Sequence, residues 1–200
     1  FKTLSKEANL NLSSIKTMLG HSLGEYSALA ACEKLKIRDC SKILVKRGEL
    51  MNDAVEEYTT GMAALIGFDS DKVEKLILEK KLDVQVANDN SPIQVVISGN
   101  NLDLEKSKII FQQEGLKKFI KLNVSSAFHS KFMIKAEEIL KSEIDNLTFE
   151  SNDINIISNF SATQSASNQQ IIDALKNQMS NKVRWKESVY ELEKTGEKKI

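Results

Sequence analysis

Strand-like and helix-like hydrophobic patterns alternate along this chain. A short β-type run at 15–19 leads through a glycine-containing turn at 20–24 into helical sequence, and a second helix is predicted from about Cys40 to Tyr58. Near the other end, a buried-type strand at 154–159 precedes helical sequence at 170–180. Strands that alternate with helices predict an α/β fold with a parallel sheet.

Residues 60–124 have a pattern of their own. Apolar and polar positions there predict the element order β-α-β-β-α-β, with the chain's only proline in the turn between the two central strands. Ser70 or Asp71 is the predicted N-cap of the first of these helices. This order is typical of a ferredoxin-like fold. We therefore predict a ferredoxin-like subdomain at 60–124, inserted into a core made of 1–59 and 125–200.

Composition and charge exclude several classes of function. Apolar residues make up 41% of the 200 residues, and 28 basic side chains balance 28 acidic ones, so nucleic-acid binding has no electrostatic support. No apolar run approaches the roughly 18 residues of a membrane-spanning helix. Two cysteines and two histidines, without metal-ligand spacing, predict no metal site and reduced thiols in the cytoplasm. Because the chain lacks an initiator Met, we interpret it as an internal piece of a longer protein.

The turn at 20–24 reads Gly-His-Ser-Leu-Gly, the chain's only Gly-x-Ser-x-Gly. Between a strand and a helix, this pattern is typical of a nucleophile elbow, which exposes the hydroxyl of its central residue, here Ser22. The helix N-terminus that follows offers N–H groups to an oxyanion. The alternative is a chance match in a tight turn.

A serine hydroxyl needs a base to become a nucleophile. Of the two histidines, His21 adjoins Ser22 in the elbow and is expected to point away from it. His129 lies in a loop that follows a predicted strand, where α/β proteins place active sites. Ser22 and His129 are therefore the predicted pair, with a surface or helix-capping role for His129 as the alternative. No acidic third member is apparent, so a backbone carbonyl is expected to orient the histidine.

Arg47 falls on the apolar stripe of the second predicted helix, in register with Ile43 and Leu50. An unpaired buried charge costs about 3–5 kcal/mol, so this guanidinium needs an anionic partner. One interpretation is an internal ion pair. The other is a substrate carboxylate, which arginine binds through two parallel hydrogen bonds.

Five segments of the sequence, in this order, resemble one family: GHSLGEYSALAA, KRGELMNDAV, SPIQVVISGN, SSAFHSKFM and LKNQMSNKVRW. They are similar to the malonyl-CoA:acyl-carrier-protein transacylases and the related acyltransferase domains of fatty acid and polyketide synthases. The resemblance covers nearly the whole chain. It implies an α/β fold with an α/β-hydrolase-like parallel-sheet core and an inserted ferredoxin-like subdomain, in agreement with the pattern.

The resemblance also implies the roles of the catalytic residues. Ser22 would carry the acyl group as an ester, and His129 would serve first as general base and then as general acid. The backbone N–H of Leu23 would donate to the oxyanion, and the backbone carbonyl of Gln178 would support His129. The family's N-terminal loop, which supplies a second oxyanion donor, would lie before Phe1, so we expect this piece alone to fold poorly and to be nearly inactive.

Three further residues would bind the substrate. The resemblance implies that Arg47 holds the malonyl carboxylate, that Gln94 lines the pocket, and that the ring of Phe128 leaves little room for a methyl branch. The implied reaction is ping-pong transfer of malonyl from malonyl-CoA to the phosphopantetheine thiol of acyl carrier protein, without a bound cofactor. A monomer is expected, and Lys131 and Lys135 are candidate contacts for the acidic carrier protein.

Two departures from the family pattern and three alternatives qualify this expectation. SNKVRW and SSAFHS each lack a proline that the family commonly has, which loosens the predicted placement of Gln178 and His129. The alternatives are an acyltransferase domain of a polyketide synthase, an esterase-type serine hydrolase, and a non-catalytic interaction module. A simple esterase has no use for a buried arginine.

Overall fold

The structure, a computed structural model, describes Glu7, residues 15–55 and residues 59–196. It is a mixed α/β protein with two β-sheets. The strands are β1 (Thr17–Leu19), β2 (Thr60–Ile66), β3 (Val84–Ser91), β4 (Gln94–Asn100), β5 (Lys118–Lys121), β6 (Asn155–Ile157) and β7 (Gln164–Ser165). In the described part of the chain, no helix has the length and apolarity needed to cross a membrane.

Helices lie between most of the strands. They are α1 (Leu23–Ala31), α2 (Ile37–Asp53), α3 (Ser70–Glu79), α4 (Asn101–Gln113), α5 (Ile134–Asp145), α6 (Asn168–Lys176) and α7 (Trp185–Lys194). A single 3₁₀ turn, Lys131–Met133, leads into α5.

Three predicted helix boundaries differ from the structure. Helix α2 begins at Ile37, three residues before the predicted start, because its first turn is polar and Ile37 itself is 70% exposed, which hides the hydrophobic period. The N-cap of α3 is Asp69, whose side chain accepts the N–H of Lys72 at 2.8 Å, and not Ser70 or Asp71. Helix α2 ends at Asp53, before the predicted end at Tyr58, which itself lies outside the described residues.

The first sheet has the strand order β1-β6-β7. β1 and β6 are parallel, with Leu19 opposite Ile157, and β7 is antiparallel to β6. α1, α2, α5 and α6 contribute to one apolar core that also contacts this sheet, and its fully buried members include Tyr26, Leu29 and Leu140. The carboxyl ends of β1 and β6 therefore lie side by side, and the segments that follow the two strands leave the sheet at the same edge.

The second sheet has the order β3-β4-β2-β5 and is antiparallel throughout. Side chains on one of its faces and from α3 and α4 form a separate apolar core around Phe111 and Ile97. On the other side a smaller cluster forms around Met62 and Val96, and Phe128 packs against it. This second face is directed toward the loop that contains His129.

The segment before α7 joins the two parts of the molecule. Val183 pairs with the edge of β3: its N–H donates to the Ala87 carbonyl at 2.8 Å, and its carbonyl accepts the N–H of Asp89 at 2.9 Å. The Lys186 ammonium lies 2.9 Å from the buried Asp89 carboxylate. The second sheet is thereby held beside the turn that follows β1.

Candidate active site

The turn between β1 and α1 presents Ser22 with an uncommon backbone conformation, φ 53° and ψ −108°. A positive φ is unfavourable for a residue with a side chain, and such strain concentrates at functional turns. The turn is tight, because a Cβ atom at Gly20 would lie 2.0 Å from the carbonyl oxygen of Gly24. A Cβ atom at Gly24 would meet nothing within 4 Å among the described residues, so only the first glycine is required by close approach.

A buried asparagine holds this turn in place. The side-chain Oδ1 of Asn159 accepts the backbone N–H of Ser22 at 2.5 Å, and its Nδ2 donates to the Gly20 carbonyl at 2.7 Å. Asn159 is fully buried just beyond the end of β6. Asn159 is not among the residues predicted from the sequence, although a polar side chain directly after a buried parallel strand is a signal for a site.

His129 lies beside the serine. Its Nε2 is 2.8 Å from Ser22 Oγ, and its Nδ1 is 3.0 Å from the backbone carbonyl oxygen of Gln178. A carbonyl can only accept, so Nδ1 carries the proton and Nε2 is left to accept the Ser22 hydroxyl proton. Burial, reinforced by the positive charge of Arg47, lowers the pKa of His129 to about 3, so the imidazole is neutral at physiological pH.

Arg47 reaches the same serine from α2. Its Nη2 donates to Ser22 Oγ at 3.0 Å and to the Gln178 side-chain Oε1 at 3.1 Å. The side chain is buried, its guanidinium lies 5.8 Å from the ring centre of Tyr26, and its Nε has no hydrogen-bond partner among the residues that the structure describes. Over residues 15–55 and 59–196, no carboxylate forms an ion pair with Arg47. The internal ion pair that the sequence left open therefore has no support there.

Gln178 and Glu25 complete a buried polar network that the sequence did not reveal. The Gln178 Nε2 donates to the Ser22 backbone carbonyl at 3.1 Å and to Glu25 Oε2 at 2.7 Å. The same Glu25 oxygen accepts the backbone N–H of Asn159 at 3.1 Å. Burial raises the pKa of Glu25 to about 7, and hydrogen bonds from Gln178 and Asn159 and the charge of Arg47 oppose the rise.

A cavity of about 530 Å³ opens in front of Ser22. Ser22, Arg47 and His129 line it, together with apolar walls from Met51, Met62, Leu122 and Phe128. Such a combination of an apolar wall and a few convergent polar groups is typical of a small-molecule site. The backbone N–H of Leu23 belongs to the first turn of α1, whose N–H groups have no acceptor within the helix.

One sequence expectation about this cavity differs from the structure. Gln94 is not among the lining residues, because it starts β4 opposite Ile66, at the outer end of the strand. It shares a face with Ser98, which binds the Phe128 carbonyl at 2.6 Å, but lies four residues away from it. His21 is among the lining residues, and its side chain contacts groups other than Ser22: its Nε2 lies 2.9 Å from Asn90 Oδ1, and its ring lies beside that of Trp185.

The metal-ligating residue types, the two cysteines and the candidate carrier contacts add little to this site. Among the described residues, no group of three or more His, Cys, Asp or Glu side chains could hold a metal ion. Cys32 and Cys40 are free and buried, and burial raises the pKa of both thiols. Lys131, a candidate carrier contact, forms an ion pair with Asp83, whereas Lys135 is exposed.

Comparisons with known proteins agree with this arrangement. The family model described as acyl transferase domain matches residues 15–199. The malonyl CoA-acyl carrier protein transacylase of Bacillus subtilis is 39% identical over 176 residues, which are 86% of this chain and 56% of that protein. The chain thus spans a little over half the length of this relative.

Two solved structures are similar throughout the chain. The acyl-carrier-protein-S-malonyltransferase from Bartonella henselae has a TM-score of 0.89 at 33% identity, over 96% of this chain and 62% of that one. A malonyl-transacylase in complex with its type II polyketide synthase acyl-carrier protein has a TM-score of 0.89 at 31% identity, over 97% of this chain and 63% of that one.

Proposed function

The chain belongs to the acyl transferase domain family, and from this premise we propose that it transfers a malonyl group from malonyl-CoA to the phosphopantetheine thiol of an acyl carrier protein. One observation carries the proposal: Ser22 Oγ lies 2.8 Å from a neutral imidazole nitrogen of His129 and 3.0 Å from a buried guanidinium of Arg47. A base and a carboxylate-binding cation thus meet at one hydroxyl.

In the first half of the proposed reaction, Ser22 Oγ attacks the thioester carbonyl while its proton passes to His129 Nε2. The negative charge on the carbonyl oxygen is stabilised by the N–H of Leu23 at the positive end of α1. The intermediate then collapses, the carbon–sulfur bond breaks, and the imidazolium returns its proton to the leaving CoA thiolate. The product is a malonyl ester on Ser22.

The second half runs the same steps with the carrier thiol. His129 takes the proton of that thiol, the sulfur attacks the Ser22 ester, and the serine leaves with the proton from His129. The Gln178 carbonyl holds Nδ1–H throughout and keeps the accepting nitrogen directed at Ser22. The lowered pKa of His129 leaves the imidazole neutral at physiological pH, the form in which Nε2 has a free lone pair.

Arg47 is the proposed carboxylate clamp. A charge-assisted contact to the substrate carboxylate would orient the thioester carbonyl over Ser22 Oγ, which is an effect of proximity and orientation. Phe128 in the cavity wall would limit branching beside the thioester, a selectivity of about 1–3 kcal/mol for one added methyl group. The buried arginine also favours acyl transfer over simple ester hydrolysis.

We further propose that the chain has the two-part fold expected of this family, a core with an inserted subdomain. The strand order β3-β4-β2-β5 with α3 and α4 on one face supports a ferredoxin-like subdomain at 60–124. The parallel β1–β6 pair and the turn at Ser22 support an α/β-hydrolase-like core at 1–59 and 125–200. A cytoplasmic monomer that meets its carrier transiently is the expected state.

One specific observation favours a role in polyketide synthesis as an alternative. A malonyl-transacylase that binds a type II polyketide carrier protein resembles this chain as closely as the Bartonella henselae enzyme does. The same chemistry could therefore serve polyketide instead of fatty acid synthesis. Rates of transfer to carrier proteins of the two classes would distinguish the settings.

The proposed function is tested by acylation of the protein itself. The chain, with any flanking sequence that its gene encodes, would be incubated separately with malonyl-CoA and acetyl-CoA, and the intact mass would be measured. We expect a malonyl adduct that is absent in Ser22→Ala, and a loss of malonyl over acetyl preference of about 10²-fold in Arg47→Ala. Equal labelling of Ser22→Ala and the unmodified protein would refute the proposed nucleophile.

A further inference from the structure

Helix α1 begins with the pattern of a capping box, but the box is not formed. In a capping box the side chains of Ser22 and Glu25 would bind each other's backbone N–H groups. Here Ser22 makes no side-chain cap bond, and its N–H donates to Asn159 Oδ1. The N–H of Glu25 donates to the Ser22 backbone carbonyl instead, at 3.1 Å. The Glu25 carboxyl therefore does not cap the helix that contains it.

The carboxyl is instead turned toward the side chain of Gln178. Glu25 is fully buried, and its Oε2 accepts the Gln178 Nε2–H at 2.7 Å and the Asn159 N–H at 3.1 Å. A glutamine side chain has a donating and an accepting end. Because Glu25 receives the donating end, the accepting Oε1 faces Arg47, whose Nη2 lies 3.1 Å away.

The opposite orientation of Gln178 would be unfavourable at both ends. Its amide hydrogens would face the Nη2 hydrogens of Arg47, and its oxygen would face the Glu25 oxygen. Two mismatched buried contacts would result, each costly because no solvent replaces the lost hydrogen bond. Glu25 and the Ser22 backbone carbonyl, which also accepts from Gln178 Nε2 at 3.1 Å, together select one orientation of the amide. Glu25 makes the shorter of the two contacts and is the acceptor that a side-chain substitution can remove.

We propose that Glu25 is a positioning residue for Arg47: by fixing the direction of the Gln178 side chain, it holds the guanidinium beside Ser22 Oγ. This inference deepens the proposed function and rests on it, because it concerns the group that would bind the substrate carboxylate. With Nη2 held by Ser22 and Gln178, the Arg47 Nε is left without a partner in the described part of the chain.

The acceptor role does not depend on the charge of Glu25. Its pKa of about 7 lies near physiological pH, and the neutral acid still accepts both N–H groups at Oε2 when its proton is on Oε1. Glu25→Gln therefore keeps an acceptor and removes the charge. Glu25→Met has a similar length and removes the acceptor.

Lys34 offers a matched control. It is fully buried beyond the other end of α1, and its Nζ donates to the carbonyls of Asn152 at 2.9 Å and Ala166 at 3.2 Å. Lys34→Met removes a buried charged group near the same helix without touching Gln178 or Arg47. It reports what general destabilisation alone does to acylation.

The experiment measures initial rates of acyl-adduct formation on Ser22 from malonyl-CoA and, separately, from acetyl-CoA. The ratio of the two rates is the readout, because a loss of folded protein lowers both rates equally and leaves the ratio unchanged. We expect Glu25→Met to lower the malonyl-to-acetyl ratio about tenfold or more, and Glu25→Gln to stay within about threefold of the unmodified protein. Lys34→Met should leave the ratio unchanged.

A normal ratio in Glu25→Met overturns the inference and leaves the proposed function standing. If Glu25→Met does not fold, Glu25→Asp decides, since its shorter side chain withdraws the acceptor from Gln178 and should also lower the ratio. An unmodified protein that forms no adduct with either thioester overturns the proposed function, and the inference with it.

Discussion

Helices α1 and α3 both follow an N-cap residue of a type that commonly caps helices, Ser22 and Asp69, but the two side chains have different partners. At α3 the N-cap Asp69 accepts the N–H of Lys72, and that lysine extends over the ring of Phe68, with its ammonium 3.7 Å from the ring centre. At α1 the N-cap Ser22 makes no cap bond and directs its hydroxyl to His129. An N-cap side chain typically contributes about 1 kcal/mol to stability, and α1 forgoes this contribution.

The third residue of each helix shows the same difference. Lys72 remains at the surface, whereas Glu25 is turned into the interior, where it meets Gln178 and Asn159. Helix α3, which has a side-chain N-cap, contributes no residue to the site. Helix α1 has no side-chain cap bond, and its N-cap residue Ser22 is the proposed nucleophile. Stability and function are thus separated between two helix starts, and each can be perturbed without the other.

The largest expected effect comes from Ser22→Ala. Turnover should fall by at least about 10⁴-fold, because the acyl ester can no longer form. Helix α1 itself should lose no stability, since no cap bond is lost and the N–H to Asn159 remains. The change in stability should come from the hydroxyl's bonds to His129 and Arg47, about 1 kcal/mol each. Transfer assays and urea unfolding would measure the two effects. A loss well beyond that of these two bonds would show that the hydroxyl does cap α1.

Asn159→Ala should have the next largest effect. The substitution frees the backbone of the turn at both Ser22 and Gly20, and a displacement of about 1 Å at a reacting atom costs about 10²-fold in rate. We expect the acylation rate to fall by about that factor with both malonyl and acetyl thioesters. Asn152→Ala, which removes a bond to the Cys32 carbonyl away from the site, is the control. Equal losses in the two variants would argue against a specific role for Asn159.

The sequence predicted those site residues that stand in a recognisable motif, belong to a rare residue type or break a hydrophobic pattern. Ser22 is in the chain's only Gly-x-Ser-x-Gly, His129 is one of two histidines, and Arg47 interrupts an apolar stripe. Glu25 and Asn159 carry no such mark, because a glutamate in a first helical turn is ordinary and the two meet across 134 residues. Their roles depend on packing between α1 and the end of β6, which local patterns do not contain.

The same limit explains the errors in the fold. The order of strands and helices in 60–124 followed from the pattern of apolar runs, because β2, β3 and β4 contribute side chains to the apolar clusters on both faces of the sheet. Gln94 lies on the face that the resemblance required, but periodicity does not reveal how far along the strand the cavity extends. The cap of α3 was placed one or two residues late because three consecutive residues, Asp69, Ser70 and Asp71, are all suitable caps, and only the fold shows that Ser70 instead binds Asp89.

Glu25→Gln should change how stability depends on pH. The pKa of Glu25 is about 7 in the folded protein against 4.5 for an ordinary glutamate, so its contribution is full below pH 4.5 and is lost as pH rises through 7. Glu25→Gln has no titrating carboxyl at this position, so its stability does not fall in this way as pH rises. Its stability relative to the unmodified protein should therefore rise by about 3 kcal/mol between pH 4.5 and pH 8.

Urea unfolding at several pH values would measure this difference. His129, whose lowered pKa acts in the opposite direction below pH 6.5, is present in both proteins and cancels. A constant difference across that range would show that the buried carboxyl does not titrate near neutrality.

Asp69→Ala should have the smallest effect and completes the comparison of the two helix starts. Loss of the bond to the Lys72 N–H should lower the free energy of unfolding by about 1 kcal/mol. Acylation rates should be unchanged where the protein is folded, because α3 lies on the face of the second sheet opposite to the cavity. Asp69→Asn, which can still cap, should restore most of the stability. A fall in acylation without a fall in stability would mean that the two helix starts are coupled through the second sheet, and the separation between them would not hold.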